Sequence, residues 1–212
     1  MSLVKEATRR RWVARVCVAG AGLLGMSLST KPGSPQFYGL TLGVAGTWIA
    51  GGLASGPLPR AGPADPAPGR QVLIPVLLGT CAFGAFYGCA LLVRGIPVLN
   101  NAITKVLRYD RQGSSPWVLF TTLVNGAAEE IFFRGAVYAA AGAKQPVTRS
   151  TAVYALVTTA TRNPALVLAS VVMGTLFGLQ RKATGGIQAP MITHLTWSTL
   201  MLRYLPPLFR HP

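Results

Sequence analysis

The chain has 212 residues, half of them hydrophobic and only 12% charged, with a formal net charge of +15 and a mean hydropathy of +0.43. Its apolar residues collect in blocks long enough to approach or span roughly 30 Å of hydrocarbon, which excludes an ordinary soluble domain. The positive charge does not point to nucleic acid: Lys and Arg lie at the ends of the apolar blocks, where they meet anionic headgroups and set topology, and no basic stripe, aromatic platform or zinc-finger spacing accompanies them.

The N-terminus carries Lys5, Arg9, Arg10 and Arg11, then Trp12 and an apolar run from Val13 to Leu28. A signal peptide begins this way, but no convincing small-residue cleavage site follows. A retained first span with a cytoplasmic N-terminus is predicted. A second span covers about Phe37 to Ala54. Ser55 to Arg70 reads SGPLPRAGPADPAPGR, too rich in proline and glycine for a helix, and is predicted to be a linker. The third span covers about Val72 to Val93.

Arg94 to Ser115 carries Ile96, Leu99, Ile103, Val106 and Leu107 at near-helical spacing, interleaved with Lys105, Arg108 and Arg111. The segment is either an amphipathic helix lying in the membrane interface or a polar connection. Trp117 to Ala140 is the fourth span, Ser150 to Thr161 a short fifth that is possible as a re-entrant segment, Ala165 to Leu179 a sixth and Gly185 to Leu202 a seventh. The expected fold is all-α, a polytopic transmembrane bundle of about seven spans plus an interfacial helix, with its C-terminus outside. Lys and Arg are slightly more numerous near the inside ends, which has the sign that topology requires. Cys17, Cys81 and Cys89 all lie in apolar blocks and none forms a CxxC pair, so neither disulfides nor a thiolate metal site is indicated.

Only five carboxylates occur in the chain. Two of them, Glu129 and Glu130, are adjacent within the fourth span, and an intramembrane ionisable residue is a functional-site hypothesis by default. Arg134 follows at helical distance, where its guanidinium can pair with one carboxylate and orient or partly neutralise the other. The plain alternative is a buried Glu-Arg bridge that holds helices together. His194 and Ser198 are four apart and share one face of the last span. A lone His in an apolar helix is more often a hydrogen-bonded core residue than a catalyst. Thr158, Thr159 and Thr161 read first as hydrogen-bonding contacts between helices.

The stretch NGAAEEIFFRGAVY, Asn125 to Tyr138, resembles the EExxxR motif of the CPBP intramembrane proteases, the group of the CAAX prenyl proteases and bacterial Abi proteins. GTLFGLQRKATGGIQAPMITHLTWSTL, Gly174 to Leu200, resembles that family's closing segment with its HxxxN motif. The resemblance covers roughly Trp117 to Leu202. It implies a division into residues 1–70, variable N-terminal helices and linker, and residues 71–212, an intramembrane protease core. It also implies that Glu129 activates a water against a peptide carbonyl, with Arg134 as its orienting partner and His194 as a second polar wall. These residues are expected to converge with Ser198 on one cavity open toward the cytoplasmic half of the membrane.

Two positions depart from the family pattern. Tyr154 to Thr158, YALVT, stands where FxxxH is expected, so Thr158 replaces a His; Ser198 replaces the Asn of HxxxN. The other histidine, His211, lies in the C-terminal tail. A catalytic zinc normally takes three protein ligands, so no cofactor is expected, although the family name suggests zinc. The expected partners are membrane lipids and a membrane-embedded or lipid-modified protein, with no nucleic acid, in what composition suggests is a bacterial cytoplasmic membrane. Two functions compete: an intramembrane endopeptidase, and a catalytically degenerate member that acts as a membrane scaffold or chaperone. A small transporter is disfavoured because no inverted repeat relates the two halves.

Overall fold

The computed structural model describes residues 3–59, 68–113 and 115–209; the middle of the expected linker and the tail bearing His211 lie outside them. The chain is all-α. In order come α1 (Leu3–Ser27), α2 (Pro35–Ala54), α3 (Pro68–Val93), α4 (Pro97–Gln112), α5 (Ser115–Glu129), α6 (Pro146–Thr158), α7 (Pro164–Thr184) and α8 (Gln188–Tyr204). Helix α5 runs on as a π-helix, Glu130–Val137, and a last α-helical turn, Tyr138–Ala140.

The helix starts follow from local chemistry. Pro35, Pro97, Pro146 and Pro164 sit at the first turns of α2, α4, α6 and α7, where a missing N–H is harmless and φ is already helical. The Ser34 hydroxyl accepts from the Phe37 amide at 3.1 Å, and Asn163 Oδ1 accepts from the amides of Ala165 and Leu166 at 2.9 and 3.3 Å. Gly185 ends α7 at φ 73°, a left-handed conformation that glycine adopts without strain. The segment Arg94 to Ser115, for which two readings stood open, forms helix α4.

Among the described residues three helices are long and apolar enough to cross a membrane: Pro35–Ala54, Gly69–Val93 and Pro164–Thr184. The expected seven spans are not reached on length and composition. Helix α1 opens with Arg9, Arg10, Arg11 and Arg15, α5 leaves the α-helical register after 15 residues, α6 has 13 residues and α8 has 17.

The helices alternate in direction, so side chains from distant segments tie each end of the bundle. At the end holding the N-terminus, Arg9 Nε donates to the Ser55 carbonyl at 3.1 Å, Trp12 Nε1 to that of Gly51 at 3.2 Å and Arg10 Nε to that of Ala140 at 3.2 Å. At the other end α4 lies over the helix connections. Its Tyr109 hydroxyl donates to the Leu28 carbonyl at 2.6 Å, and Asn163 Nδ2 donates to the Ala102 carbonyl at 2.8 Å. Burial raises the Tyr109 pKa above its ordinary value, so it stays a donor at neutral pH.

The largest core cluster joins α1, α2 and the π-helix. Trp48 stacks on Phe132 at 4.8 Å and tilts against Phe133 at 5.2 Å, and both Phe rings are almost wholly buried. Gly20 makes room for this indole: a Cβ there would fall 2.0 Å from the Trp48 ring. A second close approach joins α3 to α8, where a Cβ on Gly79 would lie 2.8 Å from the Thr193 carbonyl oxygen and 2.9 Å from Thr196 Cβ. Beside it the Thr193 hydroxyl donates to the carbonyl of Pro75, the proline inside α3, at 3.0 Å and accepts from Gln180 Nε2 at 2.7 Å.

Gly79→Ala should destabilise the protein by about 1–3 kcal/mol, the usual effect of overpacking. Gly84→Ala, in the same helix but with nothing within 4 Å of its Cβ, should be neutral or slightly stabilising. Thermal melting of the two variants in the same detergent checks the contrast, and equal melting temperatures would contradict the tight α3–α8 seam.

Candidate functional site

The site forms where α5 passes into its π-helical stretch and meets α6, α7 and α8. Glu130, the first π-helical residue, is fully buried. The wider π turn carries Arg134 almost directly beneath it. Arg134 Nε stands 3.3 Å from Glu130 Oε2, an ion pair whose alignment falls short of a hydrogen bond. The opposite oxygen, Glu130 Oε1, lies 2.9 Å from His194 Nδ1 on α8.

A carboxylate only accepts, so Nδ1 of His194 carries the hydrogen and Nε2 is the atom left for other chemistry. That edge of the ring faces α5: a Cβ on Gly126 would lie 3.6 Å from His194 Nε2. A larger residue at 126 would crowd the imidazole.

Arg134 is fixed from several sides. Its Nη2 donates to the Gly174 carbonyl of α7 at 3.4 Å, and its guanidinium lies over the Tyr154 ring at 4.8 Å and the Phe177 ring at 5.0 Å. Phe177 in turn stacks on His194 at 4.7 Å and 24°. Phenol, guanidinium, phenyl and imidazole are thus layered, with Glu130 joining the two ionisable members. Cation–π contacts in a desolvated site are worth about 2 kcal/mol each, which helps to offset the burial of a charge.

Glu129 has a different environment. It is half-buried and lines a cavity of about 310 Å³, and its Oε2 accepts a hydrogen bond from the Tyr154 hydroxyl at 2.5 Å. The same cavity is lined by His194, Ser198, Thr158, Asn125 and Trp197. Asn125 sits one turn before Glu129 and donates to the Thr41 carbonyl of α2 at 3.1 Å and to the Thr121 carbonyl at 2.9 Å. The Thr158 hydroxyl donates back to the Tyr154 carbonyl at 2.8 Å, so its hydrogen is committed to its own helix.

Of the six residues singled out from sequence, Glu129, His194, Ser198 and Thr158 meet at this cavity, while Glu130 and Arg134 stand behind its wall as a buried bridge. The resemblance gives Arg134 to Glu129 as an orienting partner; its ion pair is to Glu130. The cavity extends from Glu129 past Phe37 and Leu202 to Val106, Leu107 and Tyr109 of α4, away from the N-terminal end.

Sequence reading gave no role to Tyr154, Asn125 or Phe177. Helical spacing contains the signal for two of them: Asn125 is four residues before Glu129, and Tyr154 four before Thr158.

The residues do not fit a zinc centre. Among the described residues no three of His, Cys, Asp and Glu are grouped so as to hold an ion, and His194 Nδ1 and Glu130 Oε1 are engaged with each other.

Residues 111–200 match the model of the family described as type II CAAX prenyl endopeptidase Rce1-like. The match bears out the resemblance to the CPBP family. It covers less than half of the chain but spans both motif segments, from the end of α4 to α8. No curated protein and no solved structure matches the chain.

The bridge yields a stability prediction. Glu130→Gln strips the buried Arg134 of the carboxylate that pairs with it and should cost about 3–5 kcal/mol, the range for a broken buried pair. Glu129→Gln leaves the bridge intact and should cost far less. Melting temperature and membrane abundance of the two single variants give the comparison; a larger loss in Glu129→Gln would reverse the roles assigned to the glutamates.

Proposed function

We propose that this CPBP-like protein is an intramembrane endopeptidase in which Glu129 activates a water against a peptide bond of a membrane-associated substrate. The observation that carries the reading is the unequal treatment of two adjacent glutamates. Glu130 is withdrawn into a bridge, whereas Glu129 faces a cavity with the free edge of a histidine and the hydroxyl of Ser198.

In this mechanism Glu129 takes a proton from water as the water oxygen bonds to the carbonyl carbon. The carbonyl oxygen becomes an oxyanion, to which Ser198 and the Nε2 side of His194, when protonated, donate hydrogen bonds. Collapse breaks the C–N bond, the proton held by Glu129 passes to the leaving amine, and the carboxylate is restored. No step calls for a metal. The apolar walls around Leu24, Leu28, Phe37, Val44 and Met173 suit the lipid-modified or helical part of a substrate better than a soluble peptide.

A scaffold that has kept the cavity but not the chemistry is the rival reading. It draws on the Thr158 hydroxyl, which is directed to a backbone carbonyl, and on Ser198 in place of an amide side chain.

Full-length protein in liposomes, supplied with an internally quenched isoprenylated CAAX peptide, provides the test. Glu129→Gln should lower the cleavage rate by about 100- to 10,000-fold, the usual contribution of a general base, at unchanged abundance. A strong zinc chelator should leave the wild-type rate unaltered. Wild-type rates in Glu129→Gln would leave the scaffold as the better account, and a chelator-sensitive rate would remove the metal-free mechanism.

A further inference from the structure

We infer that Tyr154 is the positioning residue of Glu129: its phenol clamps one carboxylate oxygen so that the other is presented to the cavity. The inference rests on the reading of Glu129 as the reactive carboxylate but concerns a residue, at the Phe position of the expected FxxxH, to which the sequence reading gave no role.

The hydroxyl-to-Oε2 distance of 2.5 Å is in the range of charge-assisted O–H···O⁻ bonds, which are about twice as strong as neutral ones. Each partner is fixed by something else. The Tyr154 ring packs against Phe133 at 4.7 Å, and its face carries the Arg134 guanidinium at 4.8 Å. A cation over the ring draws electron density from the phenol and strengthens its O–H as a donor. Arg134 is itself held by Glu130, so the bridge behind the wall acts on Glu129 through an aromatic ring rather than by direct pairing.

Geometry leaves this task to Tyr154. On α6, Thr158 lines the same cavity one turn further on, but its hydroxyl is bonded to the Tyr154 carbonyl. On α8, His194 gives its Nδ1 to Glu130. Among the described residues no other hydrogen bond to Glu129 from a side chain is present, so Oε2 depends on the phenol while Oε1 has no such partner. No proton leaves Tyr154 in this role.

The clamp can be read without a substrate. Dicyclohexylcarbodiimide modifies neutral carboxyl groups in apolar sites, and a hydrogen bond donated to a carboxylate favours its ionised form and so reduces labelling. In full-length protein Tyr154→Phe should raise labelling of Glu129 by about tenfold or more, the effect of one lost bond to a charged group. Peptide mass spectrometry quantifies this, with Glu130 as an internal reference. 3-Fluorotyrosine at position 154 keeps the ring and makes the hydroxyl a stronger donor, so it should lower labelling below wild type. A structural role for the ring alone would move neither. Labelling within about twofold of wild type in both proteins overturns the inference.

With the isoprenylated peptide, Tyr154→Phe should lower kcat by about tenfold or more with KM within about twofold, and an unchanged kcat in a cleaving enzyme likewise overturns the inference. If wild type fails to cleave while the two labelling shifts appear in opposite directions, the peptidase reading falls and the Tyr154 clamp stands.

Discussion

A single buried carboxylate organises the interior of this protein. Glu130 holds Arg134 with one oxygen and His194 with the other, and so joins the π-helical part of α5 to α8 across the bundle. The ring of Phe177 from α7 fills the layer between guanidinium and imidazole, and that of Tyr154 from α6 closes the other side. Four helices are thereby fixed around one charge pair. Burying that pair is unfavourable unless every member is held, and removal of one partner is far worse than never having had the pair. The geometry of the cavity therefore depends on residues that do not line it.

Adjacent residues on a helix point about 100° apart, so a pair of glutamates cannot share one environment. The chain turns this into a division of labour. The residue that enters the π-helix is directed inward to the bridge, and the one before it, still in α-helical register, is directed to the cavity. Repulsion between the two carboxylates is limited because Arg134 compensates one of them and a phenol donates to the other.

Much of the architecture was legible in the sequence. Apolar blocks placed most of the helices to within about five residues, and first-turn prolines and the Ser34 and Asn163 caps set several of the boundaries locally; α1 begins ten residues before its apolar run, and α4 was not separable from a polar connection. The motif glutamates, Arg134, His194 and Ser198 also marked the right part of the molecule. What could not be read was rotation. Which glutamate meets Arg134, whether Arg134 faces the cavity or the core, and toward which end the cavity runs all depend on how α5 is turned about its axis. The π-helical stretch that sets this turn has no local sequence signature. Of the seven expected crossings, three coincide with helices that are long and apolar enough on their own, among the described residues.

Helix α6 brings a further consequence. Its 13 residues make a rod of about 20 Å, packed beside α7 with 21 residues, and its outer face bears exposed side chains such as Leu156. A bilayer of roughly 30 Å cannot match both neighbours. Were both helices to face lipid, mismatch on this scale would favour local thinning of the bilayer, which would bring the headgroup layer and its hydration closer to the helix whose other side bears Tyr154 and Thr158 toward the cavity. A reaction that consumes water would then be placed where the membrane itself shortens the distance water must travel.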